Sequence, residues 1–357
     1  MSSEIIADIE LLVPALAIAG QNERVRNAIF DALRRAEIEA EDPVAFREKV
    51  RWPLILALLA EVKTHRVVLQ NGLIFDVGAD SRIEKALLLS TEEHPDHVWE
   101  PQTTRLLTAL SKGATNVIVG GAYIGDHVAF IVRAVAETGR VHAFEPANHS
   151  FNRLQHHIEI NNLDNVVAHR LGLWDTSDVA LQLEGDLALA SSVPMIDPES
   201  AFNSLSIDDY VVSENLASVE LIMLDTEGGE ENALLGARNT IERNSPNIVF
   251  EIHRHFVDWT DGLENTSIVS SLTAQGYEVF AIRDFHNNYP MAGTPIEIIP
   301  VAHVYLDGPP HGFNVLATKD RELIDRLQLN VVKDVSPKLL LDKDPALHLP
   351  LSAKVPV

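Results

Sequence analysis

The feature that most constrains the fold is a regular alternation of strand-like and helix-like segments between residues 116 and 318. Short apolar runs predict strands at 116–119, 140–144, 165–171, 219–224, 247–252, 277–282, 296–305 and 313–318. Amphipathic patterns predict helices between them at 126–138, 150–161, 230–243 and 267–275. Strands that alternate with helices indicate an α/β fold with a doubly wound, mostly parallel sheet. Such a sheet binds its ligands at the carboxyl ends of its strands.

The first predicted strand ends in a glycine turn, Gly121-Ala-Tyr-Ile-Gly125, and the second ends at Glu145. Glycines let the main chain approach a charged ligand group at a helix start. An acid at the end of the second strand accepts hydrogen bonds from the hydroxyls of a ribose. A similar pattern, Phe75-Asp-Val-Gly-Ala-Asp80, occurs earlier, but only the later copy is followed by the regular alternation. The sequence therefore predicts a nucleoside site at the later copy.

Acids also end the fourth and fifth strands of this series. Asp225 lies in Leu224-Asp-Thr-Glu-Gly-Gly-Glu230, and Glu251 precedes His253. Carboxyl ends of parallel strands lie at one edge of the sheet, so we expect these groups to face one ligand. Oxygen ligands from Asp225, Glu227 and Glu251 are compatible with a divalent ion, although the sequence does not predict one. The plainer interpretations are a core histidine at 253 and, at Glu227 and Glu230, acids whose charge complements the dipole at a helix N-terminus.

These segments together resemble the FkbM-type S-adenosylmethionine-dependent methyltransferases. The similarity rests on the glycine turn 121–125, Phe144-Glu-Pro146, the segment 224–230 and Glu251-Ile-His253, and it covers about 98–255. Trp99-Glu100-Pro101 is similar to the family's Tyr-Glu before the first motif. The resemblance implies a class I, Rossmann-like methyltransferase fold with S-adenosylmethionine as cofactor. It also implies O-methylation of a small molecule such as a natural product or a sugar.

The resemblance assigns roles to individual positions. The residues expected to shape the turn around the methionyl part of the cofactor are Gly121, Ala122, Tyr123 and Gly125. Glu145 and Pro146 are expected at the ribose, Gly172 and Leu173 at the adenine, and Asp225 at the cofactor and the substrate. The substrate side is completed by Glu227, Glu230, Glu251 and His253. A histidine near its ordinary pKa suits the removal of a hydroxyl proton, so His253 is the predicted base.

Two positions depart from the family pattern and leave alternatives open. Val119 stands where the first motif has an acid, and Tyr123 stands where it has an asparagine. These departures are compatible with a non-catalytic binding or regulatory protein whose cofactor site is degenerate. A nicotinamide-dependent oxidoreductase is a further alternative. It would require Gly-x-Gly-x-x-Gly, whereas the chain has Gly120-Gly121-x-x-x-Gly125.

Composition narrows the choice of partners. The 357 residues include 28 Lys+Arg and 52 Asp+Glu, which gives a formal net charge of −24. A surface of this sign repels nucleic acid and anionic membranes, so neither is expected as a partner. The chain has no cysteine, and its start shows no secretory pattern, which is typical of a cytoplasmic protein.

The sequence predicts four segments along the chain. Residues 1–66 form an N-terminal helical domain, and 67–112 form an irregular lead-in with a hairpin at Asn71-Gly72. The Rossmann-like domain spans 113–325, and 326–357 form an extended C-terminal tail rich in proline. The N-terminal helices and the tail are the candidate contacts of a homo-oligomer.

Overall fold

The architecture is taken from a computed structural model of the full chain. It describes residues 3–78, 81–88, 99–184, 191–194, 201–286, 291, 293–307 and 312–350. The chain divides into two compact units, one formed mainly by residues 1–99 and the other mainly by residues 100–286 and 291–353.

The first unit is helical and ends in a hairpin. Its elements are α1 (Ser3–Gly20), α2 (Glu23–Glu39), α3 (Pro43–Phe46), a π-helical turn (Arg47–Arg51), α4 (Trp52–Leu59), β1 (His65–Val68), β2 (Ile74–Val77) and α5 (Arg82–Leu87). Strands β1 and β2 pair antiparallel around Asn71-Gly72, which confirms the predicted hairpin. The earlier glycine pattern therefore begins in a two-stranded ribbon and not in the large sheet, while Ala79 and Asp80 lie outside the described residues.

The second unit contains the α/β domain. Its helices are α6 (Pro101–Leu110), α7 (Val128–Ile131), α8 (Asn148–Ile160), α9 (Ile207–Ser213), α10 (Glu230–Leu235), α11 (Arg238–Asn244), α12 (Ser267–Ala274), α13 (Leu323–Leu327) and α14 (Pro345–His348), with 3-10 turns at Leu263–Asn265 and Val301–His303. Its strands are β3 (Asn116–Gly120), β4 (Arg140–Phe144), β5 (Val166–His169), β6 (Gly172–Leu173), β7 (Ala180–Glu184), β8 (Ser191–Pro194), β9 (Ala201–Leu205), β10 (Leu221–Leu224), β11 (Asn247–Ile252), β12 (Glu278–Ile282), β13 (Glu297–Pro300), β14 (Phe313–Thr318) and β15 (Asn330–Val331).

Within the described chain, nine of these strands form one sheet in the order β15-β13-β12-β14-β11-β10-β3-β4-β5. The five strands from β11 to β5 run parallel, and β14 joins them antiparallel. The strand β10 is buried along its whole length, because helices cover both faces of a parallel sheet. The predicted doubly wound, mostly parallel sheet is thus confirmed.

Two predicted helices were wrong in extent, and one helix was not predicted. The helix expected at 126–138 is regular only in α7, because the Ala136 amide bonds to the Ala114 carbonyl instead of continuing the helix. The helix expected at 230–243 breaks at Gly236, where a Cβ would lie 2.1 Å from the Trp174 carbonyl oxygen. Part of the segment expected to be irregular is the helix α6. In the first two cases a long-range contact lies where the regular helix ends.

The C-terminal segment follows the edge of the sheet up to residue 350. Strand β15 pairs parallel with β13, and Lys338 forms a bridge with Asp284. The fully buried Arg283 guanidinium donates to the carbonyls of Ser336 and Leu349, which fixes this segment to the second unit. In the part of the chain that the structure describes, no helix is both long and apolar enough to cross a bilayer.

Candidate active site

The glycine turn after β3 is held between two neighbouring strands. The Gly121 and Ala122 amides both donate to the Phe144 carbonyl, at 2.9 and 3.0 Å. Gly121 has φ +74°, and a Cβ there would lie 1.6 Å from the carbonyl oxygen of Asp225. Only glycine permits both this backbone angle and this approach. The turn therefore lies directly against the end of β10.

Glu145, at the end of β4, is fixed to the same turn. One carboxylate oxygen accepts from the Tyr123 amide at 2.8 Å, and the other accepts from the Ala147 amide at 2.8 Å. Burial raises the pKa of Glu145 to about 7, although these two hydrogen bonds oppose the shift. A carboxylate oxygen has two lone pairs, so each oxygen keeps one for a further donor. Each oxygen thus keeps an acceptor site, which the predicted contact with a ribose diol would require.

The structure shows what surrounds Val119 and Tyr123, the two positions that depart from the family pattern. Val119 is buried within β3, between Ala143 of β4 and Met223 of β10. Tyr123 has φ +45°, in the left-handed region where asparagine is tolerated far better than an aromatic residue. The asparagine of the family motif would therefore fit this backbone. Tyr123 adopts the same conformation, and its main-chain amide donates to Glu145.

Three acids meet at the carboxyl ends of β10 and β11, as the sequence predicted. One carboxylate oxygen from each of Asp225, Glu227 and Glu251 lies within 4.8 Å of the other two. Burial, and then mutual repulsion, raise the pKa of Asp225 and Glu251 well above the usual range and that of Glu227 to about 7. We call these three residues the acid cluster.

Glu230 is not part of the acid cluster, because its carboxylate accepts hydrogen bonds from main-chain amides at the start of its own helix. It accepts from the amides of Thr226 and Gly228, at 2.7 and 3.0 Å, at the start of α10. Glu227 has φ +51°, and its buried Oε2 has no hydrogen-bond partner among the described residues. The helix-capping interpretation thus suits Glu230, whereas Glu227 is available to a ligand.

His253 lies beside the acid cluster. A Cβ on Gly312 would contact both Glu251 Oε1, at 2.3 Å, and His253 Cδ2, at 3.0 Å. The His253 Nδ1 accepts from the His255 amide at 2.9 Å, so a neutral ring carries its proton on Nε2. A ring in that tautomer has no lone pair left for a substrate proton. The role of His253 as the base stays a prediction, and a carboxylate of the acid cluster is the alternative.

The residues predicted at the adenine lie next to the first strand. A Cβ on Gly120 would lie 2.8 Å from Leu173 Cδ1, so Leu173 packs against the start of the glycine turn. Gly172 is covered by the ring of Phe202, whose Cε2 would be 2.2 Å from a Cβ there. Pro146 is partly exposed after Glu145. Adenine contact by Gly172 and Leu173 stays a prediction.

Sequence reasoning missed a buried polar group centred on Glu100. Glu100 Oε2 accepts from Asn314 Nδ2 at 2.7 Å and lies 3.5 Å from His127 Nε2, while Oε1 lies 3.2 Å from His286 Nε2. Burial opposes ionisation, yet His286 and His127 hold the pKa of Glu100 below its usual value. Glu100 and Asp126 raise the pKa of His127 to about 9, against the effect of burial.

The fold positions Glu100 through the helix that follows it. Glu100 has φ 44°, Pro101 begins α6, and the Asp284 carboxylate accepts from the amides of Gln102 and Thr103 at 3.1 and 2.6 Å. Trp99-Glu100-Pro101 was the available signal in the sequence. Asp284 and Asn314 could not be recognised from the sequence, because they are far from Glu100 along the chain.

Comparison with known proteins agrees with this geometry. Residues 120–279 match the family model described as the methyltransferase FkbM domain, which confirms the resemblance drawn from the motifs. No curated protein sequence matches the chain.

Two solved structures are similar in fold. The chain is 14% identical to methyltransferase FkbM from Methylobacillus flagellatus KT, with 82% of this chain and 59% of that chain covered and a TM-score of 0.39. It is 17% identical to an O-methyltransferase from Bacillus cereus in complex with SAH, with 63% and 84% covered and a TM-score of 0.36. The chain thus spans less than two thirds of the first of these relatives.

Proposed function

Because residues 120–279 form a methyltransferase FkbM domain, we propose that the protein transfers the methyl group of S-adenosylmethionine to a hydroxyl of a small molecule. The observation that carries the proposal is the position of Glu145, which is fixed by two main-chain amides and keeps a lone pair on each oxygen. A net charge of −24 disfavours a polyanionic acceptor and supports a small one.

The residues present fit the cofactor. Glu145 would hold the ribose hydroxyls, Leu173 would border the adenine, and the turn at Gly121 would face the methionyl part. Val119 supplies no charge for the cofactor's amino group, but Asp225 lies against Gly121 and can take that role. S-adenosylmethionine, when bound, supplies a methyl group on a cationic sulfur, which leaves as a neutral thioether.

The chain's own contribution is alignment and removal of a proton. The protein would hold the acceptor hydroxyl in line with the methyl group of the bound cofactor, and this alignment is the larger part of what it contributes. The hydroxyl proton would pass to a carboxylate of the acid cluster, where the raised pKa of Glu227, about 7, suits a base near neutral pH. His253 would orient the acceptor or the acid beside it.

The test begins with calorimetric titration of the full chain with S-adenosylhomocysteine and, separately, with NAD. We expect saturable binding of S-adenosylhomocysteine only. Transfer of a radiolabelled methyl group is then measured on panels of small hydroxylated and small amine-bearing molecules. Absence of S-adenosylhomocysteine binding at millimolar concentration would contradict the proposal, and transfer confined to amines would contradict its O-methyl part.

The affinity for S-adenosylhomocysteine should depend on pH through Glu145. Its pKa of about 7 leaves the carboxyl largely neutral at pH 6 and largely ionised at pH 8. Since the ionised form is the better acceptor for ribose hydroxyls, we expect Kd to fall by about tenfold across this range. Calorimetry of Glu145→Gln should show a nearly flat profile. An equal pH dependence in that variant would assign the effect to another group.

A further inference from the structure

We propose that the acid cluster, together with Asn314, binds a hard divalent cation of the Mg²⁺ or Mn²⁺ type, which holds the oxygen of the methyl acceptor. The inference rests on the proposed function for what the cation does, but not for its binding. Ligand atoms on opposite sides of a cation are about 4.2 Å apart for Mg²⁺ and about 4.8 Å for Ca²⁺. The oxygens of Asp225, Glu227 and Glu251 lie within 4.8 Å of one another, so a cation could bridge them with little movement.

The charge of the acid cluster is only partly balanced by the protein, because His127 favours the ionised form of Asp225 without forming an ion pair with it. Within the described ranges, none of its three carboxylates forms an ion pair with a lysine, an arginine or a histidine. The charged groups that most affect Glu251 are all acids, namely Asp225, Glu227, Glu100 and Glu230. The three residues are half-buried, and charges that are removed from water in proteins are normally paired or bound to metal. A divalent cation would supply the missing positive charge.

Unpaired oxygens near the acid cluster are an independent observation. Asn314 is 2% exposed and lies directly opposite Glu251 in the β11–β14 pair, so the two side chains share a face of the sheet. Its Nδ2 donates to Glu100, which fixes the amide, while Oδ1 has no donor among the described residues. Glu227 Oε2 is also buried and has no partner there. Buried oxygens without donors are rare in proteins, and a cation satisfies them.

The donor set selects the class of cation. Carboxylate and amide oxygens suit Mg²⁺, Mn²⁺ and Ca²⁺, whereas Zn²⁺ favours nitrogen and sulfur ligands. A hydroxyl bound to the cation would be both positioned and more acidic. The acceptor class that follows is a small molecule with a hydroxyl and a neighbouring oxygen able to chelate.

The experiment measures Mn²⁺ binding to the full chain, without S-adenosylmethionine, by calorimetry and electron paramagnetic resonance at 0.15 M ionic strength. We expect one saturable site per chain that Mg²⁺ displaces, and a rise in the thermal unfolding midpoint on Mn²⁺ addition. Asp225→Asn and Glu251→Gln should each weaken Mn²⁺ binding at least tenfold. Both remove a repelling carboxylate and should fold, which their unfolding midpoints without metal will check. Glu214→Gln, an equal charge change at an exposed site, should bind as the wild type does.

Two results would overturn the inference. One is the absence of saturable Mn²⁺ binding at millimolar concentration, and the other is an equal loss of affinity in Glu214→Gln, which would indicate nonspecific attraction to the acidic surface. Titration with S-adenosylhomocysteine in EDTA separates the two proposals. If it binds there while Mn²⁺ does not, only the cation inference fails. If Mn²⁺ binds while it does not, only the proposed function fails.

Discussion

Glu145→Ala should weaken the binding of S-adenosylhomocysteine by at least about 100-fold. The substitution removes the proposed acceptor of both ribose hydroxyls and leaves the amides of Tyr123 and Ala147 without their partner. Hydrogen bonds to a charged group contribute roughly 1.5–3 kcal/mol each, so the loss of both corresponds to about two orders of magnitude in Kd or more. Glu145→Gln keeps one acceptor oxygen and should lose about tenfold. Calorimetry at pH 8, where the carboxylate is ionised, gives both values.

The matched control is Glu159→Ala, which removes the same charged group from an exposed position on α8, the helix that follows Glu145. Its affinity for S-adenosylhomocysteine should equal that of the wild type. If Glu145→Ala binds within threefold of the wild type, the carboxylate does not contact the ribose. The nucleoside would then have to occupy another part of the strand ends.

The convergence of the acids could be predicted from the sequence, but the environment of each acid could not. Asp225 and Glu251 end neighbouring parallel strands, so their meeting follows from the alternation of strands and helices alone. The difference between Glu227 and Glu230 depends on which carboxylate accepts the amides at the start of α10, and both residues look alike in the motif. His253 was chosen as the base by residue type, whereas its suitability depends on a single main-chain contact from His255.

The group around Glu100 shows a second limit of sequence reasoning. It brings together the start of α6, the segment after β3, the segment after β12 and the start of β14, which are separated by up to 214 residues. The antiparallel insertion of β14 beside β11 is what places Asn314 opposite Glu251. No local pattern encodes that register, because it is set by packing of the strand along its whole buried length.

The same group links the C-terminal segment to the candidate site. Lys338 Nζ lies 2.9 Å from His286 Nδ1, and His286 Nε2 lies 3.2 Å from Glu100. Asn314 then connects Glu100 to the strand that faces Glu251. The segment around residue 338 therefore bears on the electrostatics of the site.

Gly121→Ala should be the most damaging substitution in the glycine turn. An alanine there must adopt φ +74°, which costs about 1–2 kcal/mol, and its Cβ would lie 1.6 Å from the Asp225 carbonyl oxygen. The atom that this Cβ would meet belongs to the main chain, so no side chain can move aside to relieve the contact. Overpacking of this kind adds about 1–3 kcal/mol. We expect a fall of about 6 °C or more in the thermal unfolding midpoint. We also expect loss of S-adenosylhomocysteine binding, because the turn and Asp225 are pushed apart.

Gly113→Ala separates these two causes. Gly113 has φ +75°, nearly the same as Gly121, but a Cβ there would meet no atom within 4 Å. It should therefore show only the cost of the backbone angle, a fall of about 2–4 °C for about 1 kcal/mol, and should bind S-adenosylhomocysteine normally. Differential scanning calorimetry of the two variants compares them directly. Equal destabilisation would mean that the contact between Gly121 and Asp225 relaxes freely, and the turn would then lack the rigidity that the proposed cofactor site requires.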